Sequence, residues 1–203
     1  ETEAHAAVDS TVSLMRAAGF ERMTGLANAV MRRLTREGGD MLARTAVEDN
    51  CPDWMLRSWQ AQYGEARTRA VLEMAMTPPP LDITLRNDAA DWATRLDGEL
   101  IDGRTVRRGF DGDPTTLAGF EDGAWWVQDA AAALPAALLG DIAGQHVVDL
   151  CAAPGGKTAQ LIAAGATVTA VDNSKPRLDI LKANIKRLGM DADLVRTDGR
   201  GFR

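Results

Sequence analysis

The run Asp149-Leu150-Cys151-Ala152-Ala153-Pro154-Gly155-Gly156-Lys157-Thr158 concentrates the residues best suited to chemistry. An acid ends an apolar stretch, small residues turn the chain, and a lysine and a threonine follow two adjacent glycines. A strand that passes through such a turn into a helix leaves the first helical N–H groups unpaired, so an anionic group can sit against them. Gly155 and Gly156 have no side chain to hold a ligand away from the backbone. Two carboxylates follow, Asp172 at the end of a second strand and Asp198 at the end of a third. In parallel sheets ligands bind outside the carboxyl ends of the strands, where the glycine loop and Asp172 both fall. An acid at the second strand end can accept hydrogen bonds from both hydroxyls of a ribose. The residues therefore point to a nucleoside-containing cofactor, and by themselves they do not separate S-adenosylmethionine from NAD.

Two familiar nucleotide motifs do not fit. Gly156-Lys157-Thr158 is the ending of a phosphate-binding P-loop, but the glycine required five places before Gly156 is Cys151. The dinucleotide fingerprint Gly-x-Gly-x-x-Gly is absent from 150–160. An ordinary strand–turn–helix without ligand remains a rival on spacing alone, and the downstream acids weigh against it.

The elements that must hold these residues are legible nearby. Residues 147–150 read as a short buried strand and 158–164 as a helix closed by Gly165. Residues 167–171 read as a second buried strand, which makes a parallel βαβ unit with a right-handed crossover. Asn173-Ser174-Lys175-Pro176 signals a helix start. Leu178, Leu181, Ile185 and Leu188 line one face of that helix, Gly189 stops it, and 192–195 forms a third strand. Arg177 could approach the ribose or the acid pair, but it is expected to be solvated in the first turn.

Upstream, Val8, Val12 and Met15 form one helical stripe, interrupted by Gly19. Met23, Leu26, Val30 and Leu34 form another, which Gly38-Gly39 should end. Pro52 is expected at the first position of a third helix, with Trp54, Met55, Leu56, Trp59 and Tyr63 as an apolar front and Trp54 in the core. Pro78-Pro79-Pro80 closes the helical run. Leu81-Asp82-Ile83-Thr84-Leu85-Arg86 alternates as a half-buried strand, 88–96 reads as a short helix, and 97–124 is turn-rich with short strands near 104–108. Asp129 is a natural N-cap for an alanine-rich helix over 130–139 containing Pro135.

Composition sets the outer limits. The chain has 203 residues and a net charge of −6, which argues against broad, sequence-blind affinity for nucleic acid. Arginines nevertheless cluster at 22, 32, 33, 36 and 44 and again at 104, 107 and 108, with Lys182, Lys186 and Arg187 as a third group. Each group taken alone reads as a solvated face. No apolar run approaches the ~20 residues of a membrane span, and the first residues do not resemble a signal peptide. Cys51, Cys151, His5 and His146 have no metal-ligand spacing. These features imply a reduced, cytoplasmic protein without metal.

The motif from Asp149 to Thr158 resembles the cofactor loop of the ribosomal-RNA cytosine-C5 methyltransferases of the RsmB/Sun family. So do the approach Gly119-Phe120-Glu121-Asp122-Gly123-Ala124-Trp125-Trp126-Val127-Gln128-Asp129 and Cys51-Pro52-Asp53-Trp54, where the family usually has histidine first. Gly25-Leu26-Ala27-Asn28-Ala29-Val30-Met31-Arg32-Arg33-Leu34 resembles the end of a NusB-like RNA-binding domain. The resemblance implies an α/β chain ending in the first half of a Rossmann-like methyltransferase domain, with S-adenosyl-L-methionine as cofactor. The domains it implies are a partial all-α NusB-like domain over 1–46, an α+β connector over 47–118 and the methyltransferase half over 119–203. Cys151, Ala152, Ala153, Pro154, Gly155, Gly156 and Lys157 would receive the methionine end, Asp172 the ribose, and Asp198 the adenine edge. Cys151 is expected to pack at the loop's start, not to act as nucleophile. In the family a cysteine after a later strand attacks C6 of the target cytosine, so the chain is expected to be truncated at both ends and inactive by itself. Small-subunit ribosomal RNA is the implied partner, and a monomer the expected state. An NAD-dependent enzyme and a non-catalytic RNA-binding adaptor are the alternatives.

Overall fold

A computed structural model describes residues 3–87, 91–109 and 112–202. They cluster into two units, Glu1–Pro78 and Pro79–Arg203.

The first unit is helical: α1 (Ala4–Ala17), α2 (Thr24–Ala43), α3 (Asp53–Tyr63) and α4 (Glu65–Ala75), with 3-10 turns at Glu21–Met23 and Val47–Asn50. Gly38 and Gly39 do not end α2, which continues to Ala43. Neither glycine takes a positive φ, and the leucine, methionine and charged neighbours on both sides are strong enough helix formers to carry the pair. Met23, Leu26, Val30 and Leu34 share a face as expected, and all four are exposed. Pro52 stands at the N-cap of α3, and Asp53 takes the first helical position. Trp54 is not in the core, being 67% exposed. It lies in the first turn of a helix whose partner, α4, buries only Thr68 and Leu72 from the facing stripe.

The second unit begins with a four-stranded antiparallel sheet of β1 (Leu81–Leu85), β2 (Glu99–Leu100), β3 (Thr105–Arg108) and β4 (Trp125–Val127), in the order β2-β3-β1-β4. β1 was expected to be half-buried, yet all five residues are buried. The alternation is real, but both faces of this inner strand are covered. Leu81, Ile83 and Leu85 pack with Leu96, Val106 and Trp125. On the other face Asp82 takes two hydrogen bonds from Arg107, at 2.7 and 2.8 Å, and one from the N–H of Ala130 at 2.9 Å. Arg107 is therefore a structural partner of a buried acid. Helix α5 spans Trp92–Arg95; residues 88–90 of the expected helix lie outside the described residues. Because β4 pairs with β1, this sheet draws on both sides of position 118.

Asp129 caps α6 (Ala130–Ala137), accepting from the N–H groups of Ala131 and Ala132, with Pro135 inside the helix. A parallel sheet follows: β5 (His146–Leu150), β6 (Thr167–Asp172) and β7 (Asp193–Arg196) in that order, with α7 (Gly156–Ala163) and α8 (Lys175–Arg187) as connections. β5 is not the buried strand expected, since it alternates exposed and half-buried residues. Among the described residues it pairs only with β6, whereas β6 is enclosed by both neighbours and buried from Val168 to Asp172. Leu178, Leu181, Ile185 and Leu188 are all buried. Full burial of a leucine or isoleucine contributes about 1.5–3 kcal/mol, so this stripe fixes α8 on the sheet.

The end of α8 ties the two sheets together. Arg187 stacks over the ring of Phe120, 4.0 Å from its centroid, and donates to the carbonyls of Phe120 and Trp125. Burial lowers its pKa from the usual arginine value. It is thus not part of a solvated cluster. Gly123 has φ +64, and a Cβ there would stand 2.4 Å from the carbonyl oxygen of Arg187, so only glycine allows this approach.

Candidate functional site

The site forms where β5 hands over to α7. Cys151 adopts φ +61 and is exposed, which overturns its expected packing. The left-handed backbone at Cys151 turns the chain out of β5, with the thiol at the surface among the described residues. Ala152 and Ala153 are buried in one cluster with Ala159, Leu181 and Trp126, while Pro154 is exposed. Gly155 has φ +106, and a Cβ there would lie 3.1 Å from Cγ of Leu181. A side chain at this position would meet both strain and the face of α8.

Helix α8 holds the loop from behind. Arg177 donates to the carbonyl of Ala153 at 2.6 Å, and Asn184 donates to the carbonyl of Pro154 at 3.0 Å. Arg177, Leu181 and Asn184 share one side of the helix, so polar and apolar contacts alternate down the same seam. Arg177 is exposed, as expected, and in addition bridges the loop and Asp172, 3.4 Å from its carboxylate. Asn184 was not singled out by the sequence. A polar residue set beside the stripe of Leu181, Ile185 and Leu188 is the signal that could have found it.

With those carbonyls engaged, the N–H groups at the start of α7 are the ones left over. The first backbone bonds of this region run from Gly155 to the carbonyl of Ala152 and from Ala159 to the carbonyl of Gly155. The N–H groups of Gly156, Lys157 and Thr158 thus make no backbone hydrogen bond among the described residues. This is the arrangement that receives an anion. Lys157 is exposed beside it. Asp149 accepts from the hydroxyl of Thr158 at 2.6 Å, which pins the end of β5 to the first turn of α7. Burial raises the pKa of Asp149; the Thr158 hydrogen bond and the charge of Lys157 oppose the rise.

Asp172 is 3% exposed and reaches the loop directly. Its Oδ2 accepts from the N–H of Ala153 at 3.3 Å, and its Oδ1 accepts from the N–H of Ser174 at 3.0 Å. A carboxylate offers about four acceptor positions, so capacity remains for a sugar hydroxyl. Asp198 belongs to the same rim through its turn: the N–H of Thr197 donates to the carbonyl of Asp172 at 3.2 Å. A Cβ on Gly199 would stand 3.6 Å from a methyl group of Leu150. The Asp198 carboxylate is half-exposed and held by Arg200 at 2.6 Å, and the Arg200 side chain lowers its pKa. The loop, Asp172 and the Asp198 turn therefore converge at one end of the parallel sheet.

Gln128 also reaches this loop. Its side chain covers Gly156, whose Cβ would lie 3.7 Å from the amide carbon, and it donates to Gln160 on α7 at 2.8 Å. Among the described residues no helix is long and apolar enough to cross a membrane.

Known proteins share this architecture. The family model of 16S rRNA methyltransferase RsmB/F matches residues 136–203. Ribosomal RNA small subunit methyltransferase B of Escherichia coli O17:K52:H18 (strain UMN026 / ExPEC) is 35% identical over 97% of this chain and 49% of its own length. The protein of the same name from Enterobacter sp. (strain 638) is 34% identical with the same coverage. The chain thus spans about half the length of the curated relatives it matches. The crystal structure of PH0851 aligns with a TM-score of 0.78 at 18% identity, over 98% of this chain and 48% of that one. The structure of NSun6 from Pyrococcus horikoshii with SFG aligns with a TM-score of 0.62 at 16% identity, over 73% and 66% of the two chains. Both structural likenesses concern the fold alone.

Proposed function

This chain belongs to the RsmB/F family of 16S rRNA methyltransferases, and from that premise we propose that it provides the cofactor-binding part of an enzyme that methylates C5 of a cytidine in small-subunit ribosomal RNA. The observation that carries the reading is the contact of buried Asp172 with the N–H of Ala153, beside three helix-initial N–H groups that lack backbone partners. These groups fit the two ends of S-adenosyl-L-methionine. The N–H groups of Gly156, Lys157 and Thr158, with the charge of Lys157, suit the methionine carboxylate; Cys151, Ala152, Ala153, Pro154 and Gly155 shape the wall beside it. Asp172 suits the ribose hydroxyls, and Asp198 the adenine edge. That a structural neighbour is solved with SFG, an analogue of S-adenosylmethionine, supports the choice of cofactor.

When bound, S-adenosylmethionine supplies a methyl group on a positively charged sulfur. The residues of this chain bind and orient it; none acts on the base. The nucleophilic cysteine of the cytosine-C5 reaction is assigned outside residues 1–203, because Cys51 is buried in the helical unit and Cys151 heads the cofactor loop. We read residues 1–46 as part of a NusB-like RNA-binding domain and 47–118 as a connector. Arg33 is paired with Glu37, while Arg22, Arg36 and Arg44 have no ion pair among the described residues and are free to meet phosphate. We assign the intact enzyme to the cytoplasm, as a monomer.

Equilibrium dialysis against S-adenosylmethionine and NAD tests the cofactor. Saturable binding of S-adenosylmethionine and none of NAD is expected; the reverse would favour a dehydrogenase. RNA binding with no affinity for either would favour a non-catalytic adaptor.

A further inference from the structure

We propose that Gln128 is a positioning residue for the cofactor loop, packing over Gly156 and locking α7 to the antiparallel sheet through a directional chain of hydrogen bonds. The proposal rests on the cofactor reading above. The indole N–H of Trp126 donates to Oε1 of Gln128 at 2.7 Å. Nε2 of Gln128 donates to Oε1 of Gln160 at 2.8 Å, and Nε2 of Gln160 donates to the carbonyl of Ala133 at 3.0 Å. An indole N–H can only donate and a backbone carbonyl can only accept. The two ends of the chain therefore dictate which way both amides face, since turning either one sets donor against donor or acceptor against acceptor.

Position gives this chain its consequence. Trp126 is on β4, Gln128 lies between β4 and α6, Gln160 is on α7 and Ala133 on α6. Trp126 and Gln128 are buried, so water cannot replace the link between them if it is broken. The indole packs in the cluster that contains Ala152 and Ala153, on one side of the turn. The Gln128 side chain covers Gly156 on the other side, with three of its carbons 3.7–3.8 Å from where a Cβ would stand. Trp126 and Gln128, joined by their hydrogen bond, thus brace the two ends of the segment 152–156. Gln128 would touch no reacting atom; it acts by holding the free N–H groups of α7 in a fixed direction.

Gln128→Met keeps length and bulk but removes both hydrogen bonds, and Gln160→Met opens the chain at its second link. Amide hydrogen exchange is measured without cofactor on wild type, both variants and their combination, and S-adenosylmethionine affinity is measured alongside. Exchange at Gly155 and Ala159, whose N–H groups are hydrogen-bonded within the turn, is expected to rise about tenfold in Gln128→Met while β1 is unchanged, and affinity to fall about tenfold, as for one buried hydrogen-bonded link. The double variant should lose no more than the worse single, because an open chain cannot be opened again. Unchanged loop exchange, or an equal rise in β1, would overturn the proposal. A loosened loop in a protein whose wild type binds no S-adenosylmethionine would uphold the positioning role and sink the cofactor reading instead. If Gln128→Met does not fold, Gln160→Met alone decides by the same criteria.

Discussion

Cys151 and Asp149 flank Leu150, the last residue of β5, and they offer two independent readouts. Cys151 is exposed and Cys51 buried, so a maleimide should label Cys151 first. Saturating S-adenosylmethionine is predicted to slow that labelling several-fold. Equal rates with and without cofactor would place the ligand elsewhere. Asp149 adds a pH dependence with a definite sign. Its folded pKa lies above the ordinary carboxylate value because burial disfavours the charge. The folded state then holds its proton more tightly than the unfolded chain, and stability falls as pH rises from the unfolded pKa through the folded one. Asp149→Asn is predicted to remove this fall while keeping a hydrogen-bonding partner for Thr158; unfolding midpoints in urea from pH 4 to 7 check it.

At the scale of elements, the four-stranded sheet hangs on Asp82. Arg107 holds the Asp82 carboxyl below its usual pKa. That stabilisation is complete above the unfolded pKa and is lost as pH falls through the folded one. Arg107→Met is predicted to cost roughly 1–3 kcal/mol at neutral pH, since Asp82 would stay buried with the Ala130 N–H as its remaining donor, and to flatten the acid limb of the stability curve. In α2, Gly38 and Gly39 have helical backbone and nothing within 4 Å of an added Cβ. Replacing each with alanine is predicted to stabilise by about 0.5–1 kcal/mol, seen as a higher melting temperature. Local pattern made α8 legible, because Leu178, Leu181, Ile185 and Leu188 are spaced for one face and nothing competes for it. The glycine loop and Asp172 were legible for the same reason: turn, cap and strand signals agree over a short span. The buried role of Arg107 was not, as its partner is 25 residues away, and Asn184 meets Pro154 across 30. Such contacts depend on the packing of elements, and no local period announces them. The exposure of Trp54 belongs to the same class, since helical spacing says which side chains share a face but not whether anything covers it.

For the whole molecule, a net charge of −6 and about half the length of its relatives frame what this chain does alone. Its RNA contacts are proposed to be few and local, so affinity for ribosomal RNA is predicted to fall with salt along a shallow slope; a slope as steep as that of a protein making many phosphate contacts would contradict this. The chain by itself is predicted to incorporate no labelled methyl group into small-subunit RNA, because no cysteine here is assigned to the base. The cofactor claim has a more direct test. Calorimetric titration of S-adenosylmethionine into the wild-type chain and Asp172→Asn is predicted to give one site, weakened about ten- to a hundredfold in the variant, as for a lost hydrogen bond to a buried charge. Equal affinity in the two proteins would contradict the placement of the ribose on Asp172, and with it the account of the site.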